Sequence, residues 1–346
     1  MKLFSKLASA AAGIAAYAIM DANPSLFFYD AVIVKPQRQR LMHNRFQGKR
    51  IWITGASSGI GESLVEELYK NGAHIIASAR RVDRLKDLAD RCVNSDESNP
   101  NAGSINILPF DAMTSSKKYA SITRKAVEFY GGIDILILNA GRTQRLPSSE
   151  TTEESTRKLM ELNFMAPVRL TLALMKIDGW KRKKSGHIVL TSSVAGKYAV
   201  PLSSSYAASK HALNGYFSSL RAENSSWMRV DIICPGPIAT PIDQSAVKSI
   251  DQTERDSLES KMPVTRCVQL MLSSIAGPQR FFFETWIAKQ PVLTFSFLNQ
   301  YTPNICTTLI NIFGNLRVAA YEQGLDLFKF SNLVYAGFAN SPQSDQ

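Results

Sequence analysis

Arg50-Ile-Trp-Ile-Thr54 followed by Gly55-Ala-Ser-Ser-Gly-Ile-Gly61 is the stretch that decides the fold. The first five residues read as a short buried strand. The next seven are small apart from Ile60, and they lead into a helical pattern with Leu64, Val65 and Leu68 on one face. Gly55 permits a tight turn, Gly59 lets the backbone approach a pyrophosphate, and Gly61 lets helix pack closely on strand. The helix N-terminus then offers free N–H groups and partial positive charge to phosphates. The spacing is Gly-x-x-x-Gly-x-Gly, and such a turn by itself also suits a purely structural role. Its place between the first strand and first helix favours nucleotide binding, with Ser57, Ser58 and Ile60 as further contacts.

Strand and helix alternate onward from that unit. Strands are expected at 73–78, 105–110, 133–138, 187–191 and 230–234, with helices at 82–93, 115–130, 152–179 and 203–226. A polar loop is expected over 94–104, and the basic run Lys181 to Lys184 reads as a solvated turn. Apolar strands separated by helices predict an α/β fold: one doubly wound, Rossmann-like parallel sheet with ligands at the carboxyl ends of its strands.

The chain has 346 residues, of which 45% are hydrophobic and 20% charged, enough for one large globular domain with appendages. Its formal net charge of +11 favours anionic partners. The basic residues are scattered, not striped, so nucleic acid is not expected. Cys92, Cys234, Cys267 and Cys306 lie far apart, and no histidine pair has metal-ligand spacing. Neither a disulfide framework nor a metal site is expected.

The expected organisation is a membrane segment at 1–34, a basic linker at 35–49, the catalytic domain at 50–275 and an extension at 276–346. Lys2 and Lys6 precede an apolar run from Leu7 to Met20, which reads as an uncleaved signal-anchor or membrane-dipping segment; a cleaved signal peptide or a helix packed on the domain are the alternatives. The linker, with Arg38, Arg40 and Arg45, suits anionic headgroups. In the extension, Trp286, Phe295, Phe297 and the run from Leu309 to Phe313 make a further apolar patch. It reads either as an interfacial membrane contact near the substrate mouth or as a core cover or homodimer contact.

Four motifs in order carry a family resemblance. The Thr54-to-Gly61 turn, Leu138-Asn-Ala-Gly141, Tyr206-Ala-Ala-Ser-Lys210 and Pro235-Gly236 resemble the signatures of the short-chain dehydrogenase/reductase family, with Leu138 where that family usually has asparagine. The resemblance covers about residues 48–275. Ser78-Ala-Arg-Arg81, Ile233-Cys-Pro-Gly-Pro237 and Trp286-Ile-Ala-Lys-Gln-Pro291 extend it toward the endoplasmic-reticulum subgroup of dehydrogenase/reductase family member 7. The resemblance implies a catalytic set of Asn163, Ser193, Tyr206 and Lys210, with Ser192 as the alternative serine. It also implies that Asp111 meets the adenine, that Asn139, Ala140 and Gly141 line the adenosine side, and that Pro235, Gly236, Ile238 and Thr240 close over the nicotinamide. Residues 241–262 are expected to form a substrate lid.

The chemistry fits those residue types. Hydride delivery to a carbonyl leaves an alkoxide that needs a proton, and a phenol with an ordinary pKa of about 10 gives one up more easily beside an ammonium. Tyr206 and Lys210 are four apart on one helix face. Ser193 is expected to hold the substrate oxygen, and Asn163 a water in a proton relay. After the second strand an acid would favour NAD(H). Arg80 stands there instead and is expected to be the main contact, with Arg81 as a possible second, because a guanidinium suits the 2′-phosphate of NADP(H). The expected function is an NADP(H)-dependent oxidoreductase interconverting carbonyl and alcohol on a lipophilic small molecule such as a steroid or retinoid, at the endoplasmic reticulum membrane. The alternative is a non-catalytic NADP(H)-binding or membrane-associated partner protein.

Overall fold

The computed structural model describes residues 17–95, 102–178, 180–242, 261–278, 282–325 and 331–332. Its centre is a parallel sheet. Strands β1 (Arg50–Thr54), β2 (His74–Ser78), β3 (Ser104–Ile107), β4 (Ile135–Leu138), β5 (Gly186–Thr191) and β6 (Met228–Pro235) are joined by crossover helices. A two-stranded ladder pairs β7 (Ile238–Ala239) with β8 (Met262–Pro263), and β9 (Glu284–Ile287) returns to the main sheet. The order is β3-β2-β1-β4-β5-β6-β9, all parallel, so the strand order reverses beside β1 and β4. In such sheets a crevice opens at that reversal, outside the carboxyl ends of the strands.

The helices are α1 (Pro24–Phe28), α2 (Arg38–Phe46), α3 (Gly59–Lys70), α4 (Val82–Ser95), α5 (Ser116–Tyr130), α6 (Glu153–Met160), α7 (Ala166–Ile177), α8 (Trp180–Lys183), α9 (Ser204–Asn224), α10 (Val264–Ala276), α11 (Val292–Tyr301) and α12 (Pro303–Glu322). Two apolar cores lie on the two faces of the sheet. One joins Leu64, Leu68 and Ile75 to Val268 and Met271; the other joins Trp52 and Leu136 to Leu174 and Phe217. Gly131, in the left-handed conformation, closes α5 at the expected point.

Four readings are corrected. The helix expected over 152–179 is three pieces, because Glu161–Met165 is a π-helical turn between α6 and α7. Pro167 has no N–H to give the carbonyl four residues back, that of Asn163, so the α ladder cannot run through. The third strand ends at Ile107, not Phe110, since Pro109 interrupts the ladder, although Leu108 and Phe110 still donate to Ala77 and Ala79. Lys183 belongs to the short helix α8 rather than to a turn. A seventh strand, β9, arises inside the apolar extension.

The N-terminal part also differs from a free linker. Residues 24–46 are largely helical, and Leu26, Val34, Met42 and Phe46 are buried in the first core. Ala22 bridges to Ile287, and Asn23 donates to the Trp286 carbonyl. Among the described residues no helix is long and apolar enough to cross a membrane. Residues 1–16 and most of the expected lid, 243–260, lie outside the described residues.

Candidate active site

The β1–α3 turn is built by contacts that only glycine permits. A Cβ on Gly61 would lie 2.2 Å from the Gly55 carbonyl oxygen, and one on Gly55, at φ +69°, would lie 2.8 Å from the Ala140 Cα. The turn is thereby pressed against the loop after β4. Thr54 Oγ1 accepts from the Asn139 and Ala140 amides at 3.1 and 3.2 Å, and Asn139 Nδ2 donates to the Gly55 carbonyl at 3.3 Å. Ser58 sits at the N-cap of α3 without a side-chain capping bond, so the first amides of the helix are left for a ligand.

A cleft of about 1060 Å³ opens at this point and runs along the carboxyl ends of the strands. Every expected cofactor contact lines it: Gly55, Ser57, Ser58, Gly59, Ile60, Arg80, Arg81, Asp111, Asn139, Ala140, Gly141, Tyr206, Lys210, Pro235, Gly236, Ile238 and Thr240, apart from Gly61, which packs beneath the turn. The two arginines differ. Both are exposed, but Arg81 folds over the turn, donating from Nη2 to Ser57 Oγ at 3.0 Å and Ser58 Oγ at 2.7 Å, whereas Arg80 stands at the rim of the cleft. Asp111 accepts from the Met113 amide at 2.9 Å, which fixes its carboxylate at the far end of the cleft. The uncapped helix, the glycine cradle and the guanidinium with two hydroxyls are a donor set suited to the phosphates of a dinucleotide.

The catalytic candidates meet at the other end of the cleft. Lys210 Nζ is buried, donates to the Thr191 carbonyl at 2.8 Å and lies 5.8 Å from the Tyr206 ring centre. Burial brings its pKa down from the ordinary 10.5 to about 8, against a smaller opposing influence from Cys234. Ser192 and Ser193 part company here. Ser192 Oγ is committed to Asn214 Oδ1 at 2.6 Å, while Ser193 Oγ receives the Ala195 amide at 3.1 Å and makes a long 3.4 Å contact to the Pro235 carbonyl. Asn163 sits in the π-helical turn. Its side chain accepts from the Arg142 amide and donates to the Arg142 carbonyl and Ser209 Oγ, each at 3.0 Å, tying the loop after β4 to α9. His211 bonds to the Ala207 carbonyl within α9 and does not line the cleft.

Gln144 is a functional residue that sequence reasoning missed. It is fully buried, and its Oε1 accepts from the backbone amides of Ser205 at 2.9 Å and Tyr206 at 3.3 Å. Ser203 at the N-cap of α9 makes no side-chain cap, so Gln144 caps the helix from a distant loop and sets where Tyr206 starts. The position three residues beyond Gly141 was the only available hint, because a cap supplied from elsewhere leaves no local pattern. Gln144→Ala is expected to cost about 1–2 kcal/mol of stability and to lower kcat several-fold with cofactor affinity retained. Gln144→Glu, which keeps an acceptor oxygen but buries a carboxylate and loses the Nε2 bond to Thr151 Oγ1, should recover part of kcat. Equal kcat in all three proteins would remove Gln144 from the positioning machinery.

A doubly wound parallel sheet, a glycine turn at the strand-order reversal and a Ser–Tyr–Lys array in one cleft define a nucleotide-dependent oxidoreductase of the Rossmann type. The chain belongs to the short chain dehydrogenase family, whose profile it matches over residues 49–251. Human dehydrogenase/reductase SDR family member 7 is 36% identical over 300 residues, covering 83% of this chain and 86% of that protein. Among solved structures, an alcohol dehydrogenase from the archaeon Thermococcus sibiricus, complexed with 5-hydroxy-NADP, superimposes with a TM-score of 0.61 at 22% identity, covering 70% of this chain and 97% of that one. A Burkholderia phymatum short chain dehydrogenase/reductase in complex with NAD gives 0.62 at 21% identity, covering 75% and 96%.

Proposed function

We propose that this dehydrogenase/reductase is an NADP(H)-dependent enzyme that interconverts a carbonyl and an alcohol on a lipophilic small molecule, of the steroid or retinoid kind, at the endoplasmic reticulum membrane. The observation that carries the reading is the arrangement of Arg81, Ser57 and Ser58 at one end of the cleft and Ser193, Tyr206 and Lys210 at the other. The bound nicotinamide cofactor supplies the hydride in reduction and takes it in oxidation. The protein holds its phosphates with the β1–α3 turn, its adenine side with Asp111 and Asn139, and its 2′-phosphate with Arg81, assisted by Arg80. Ser193 Oγ holds the substrate oxygen, and Tyr206 gives it a proton in reduction or removes one in oxidation. Lys210 favours the charged phenolate and so eases that transfer. The π-helical turn releases the Asn163 carbonyl to hold a water that refills the proton.

Both the cleft and the surface support a lipophilic substrate met at a membrane. Leu159, Leu162, Val194, Val200 and Ile242 line the substrate end. Tyr17 bonds to Thr294 and packs its ring 6.0 Å from Phe297, which brings the N-terminal segment beside the extension. Ile19, Phe28 and Val32 on the former, and Tyr301, Ile305 and Ile312 on the latter, are more than half exposed. Apolar side chains left in solvent on two adjoining segments suit an interfacial anchor better than a buried homodimer seam.

The test is nucleotide titration of the full chain and of Arg81→Ala and Arg80→Ala. Arg81→Ala is expected to weaken NADPH binding by about 10- to 100-fold, the worth of a charge-assisted contact, and NADH binding by less than threefold. Arg80→Ala should have a smaller effect of the same kind. NADH bound as tightly as NADPH by the unaltered protein would overturn the cofactor assignment.

A further inference from the structure

Ser193 stands on a loop that is held from both sides. Its Oγ takes the Ala195 amide at 3.1 Å and its carbonyl takes the Gly196 amide at 2.9 Å, so the tight turn Val194–Gly196 sets where that hydroxyl points. On the inner side the turn is pressed against α9. Asn214 Nδ2 donates to the Gly196 carbonyl at 3.0 Å, and a Cβ on Gly196 would lie 3.0 Å from the Lys210 carbonyl oxygen. The outer side belongs to the extension. Asn299 on α11 donates from Nδ2 to the Lys197 carbonyl at 2.8 Å. Lys197 Nζ reaches both oxygens of Glu284 on β9, at 3.0 and 3.2 Å, and the Trp286 indole N–H donates to the same carboxylate at 2.8 Å. The Tyr198 hydroxyl donates to the Val292 carbonyl at 3.3 Å. Lys197, Glu284 and Asn299 do not line the cleft, so they act on the loop from behind. Glu284 and Asn299 also lie beyond residues 49–251, the part matched by the family profile.

We propose that Asn299 and Glu284 are positioning residues: through Lys197 they hold the turn that carries Ser193, and so fix its hydroxyl relative to Tyr206 and Lys210. The extension is then a working part of the active site. A loop anchored on one side can tilt about that anchor, and a second anchor on the opposite side removes the tilt. Asn214 supplies the first anchor and the extension the second. The gain is geometric. A serine that must meet a substrate oxygen at hydrogen-bond distance loses most of its effect when it is displaced by about 1 Å. The bond from Asn299 to a backbone carbonyl restrains position directly, and the Lys197 ion pair adds a charged contact to a carboxylate that the indole already orients. This inference rests on the reductase reading above, in which Ser193 holds the substrate oxygen.

The experiment uses the full chain with NADPH, and the probes are acetophenones carrying para-alkyl chains of graded length. Asn299→Leu is expected to lower kcat by about 10- to 100-fold with NADPH affinity unchanged. Lys197→Met should lower it by a smaller factor, and Lys197→Arg, which keeps the pair with Glu284, should recover part of that loss. The decisive comparison is made in a Ser193→Ala background. There Asn299→Leu should cost less than about a further twofold, because the group it positions is gone. An equal loss in both backgrounds, or an unaltered kcat in Asn299→Leu, overturns the proposal. Amide hydrogen exchange on the same proteins, without substrate, gives a reading independent of turnover. Exchange at Ala195 and Gly196 should quicken in Asn299→Leu while β9 exchanges as in the parent; unchanged exchange at those two amides also overturns the proposal. If NADPH does not bind and no ketone is reduced, yet exchange at the turn quickens, the hold on the turn stands and the reductase reading fails. If every variant reduces ketones at the parental rate, the reductase reading stands and the positioning role fails.

Discussion

Lys210→Met is expected to abolish turnover and, at the same time, to make the folded protein more stable at neutral pH. The two effects have one cause. Lys210 is buried, its pKa is brought down to about 8 by that burial, and its ammonium is nonetheless held against the Thr191 carbonyl beside Tyr206. A folded-state pKa about 2.5 units below the ordinary value corresponds to roughly 3 kcal/mol held against the fold whenever the lysine is charged. The sign follows from proton counting. Between pH 8 and 10.5 the unfolded chain binds the extra proton, so stability rises with pH through that window, and the full penalty applies below it. Methionine removes the penalty but leaves the Thr191 carbonyl without its donor, so a net gain of about 1–3 kcal/mol is expected at pH 7. Loss of the charge that eases proton transfer from Tyr206 should lower kcat/KM by about 10²- to 10⁴-fold. In the unaltered enzyme, kcat/KM should decline on the alkaline side as Lys210 loses its proton, with an apparent pKa near 8 in the free enzyme. Denaturant titration at pH 7 and pH 10 reads the first effect: the variant's advantage should shrink at the higher pH. A Lys210→Met protein less stable than the parent at pH 7 would show that the buried ammonium contributes more through its hydrogen bond than burial costs it.

Such a trade of stability against chemistry is what made part of this site legible from sequence. Gly55 and Gly61 are residue types that a plain helix or strand has no use for at those places, so local pattern exposes them, whereas Tyr206 and Lys210, ordinary on a helix, stood out through the family resemblance. The strands β1 and β4 were legible because they are largely apolar on both faces, which only the middle of a parallel sheet tolerates. Other features depend on partners far away in the chain. Gln144 acts on α9 across about sixty residues, and nothing beside it in sequence says so. Arg81 rather than Arg80 covers the turn because its direction is set by Ser57 and Ser58, a helix and a strand earlier in the chain. The strand β9 is four residues inside an apolar stretch, where a short buried strand and a surface-seeking segment look alike. The break at Asn163 was different. Pro167 announced it, and periodicity alone had smoothed over it.

Asp30→Ala is expected to be the most damaging substitution outside the cleft, because it tests whether the N-terminal segment belongs to the folding unit. Asp30 is 1% exposed. Its carboxylate accepts from Arg38 Nη2, from Ser273 Oγ at 2.6 Å and from Arg266 Nη1 at 2.7 Å, and Arg266 in turn reaches Asp21 at 2.7 Å. One acid thus fastens α2 and the segment before it to α10, beneath the sheet edge where Ala22 meets Ile287. Burial by itself would raise the Asp30 pKa; the Ser273 and Arg266 bonds and the Arg38 charge outweigh it and hold the carboxyl below its ordinary range. Removing the carboxylate leaves Arg38 and Arg266 facing each other. Because both keep about a quarter of their surface in water, the cost should be roughly 2–4 kcal/mol, below that of breaking a fully buried pair. The acid limb gives an independent reading. Asp30's contribution is complete above the unfolded carboxyl value, about 3.9, and is lost as pH falls through its lowered folded value, so the variant should show a shallower loss of stability in acid than the parent. A single unfolding transition shifted to lower denaturant places residues 20–46 in the same cooperative unit as the sheet. A protein that melts as before, or in two steps with the larger unmoved, would make that segment a detachable arm, and the contacts it makes with β9 and α11 would then belong to one docked position of that arm rather than to the catalytic domain.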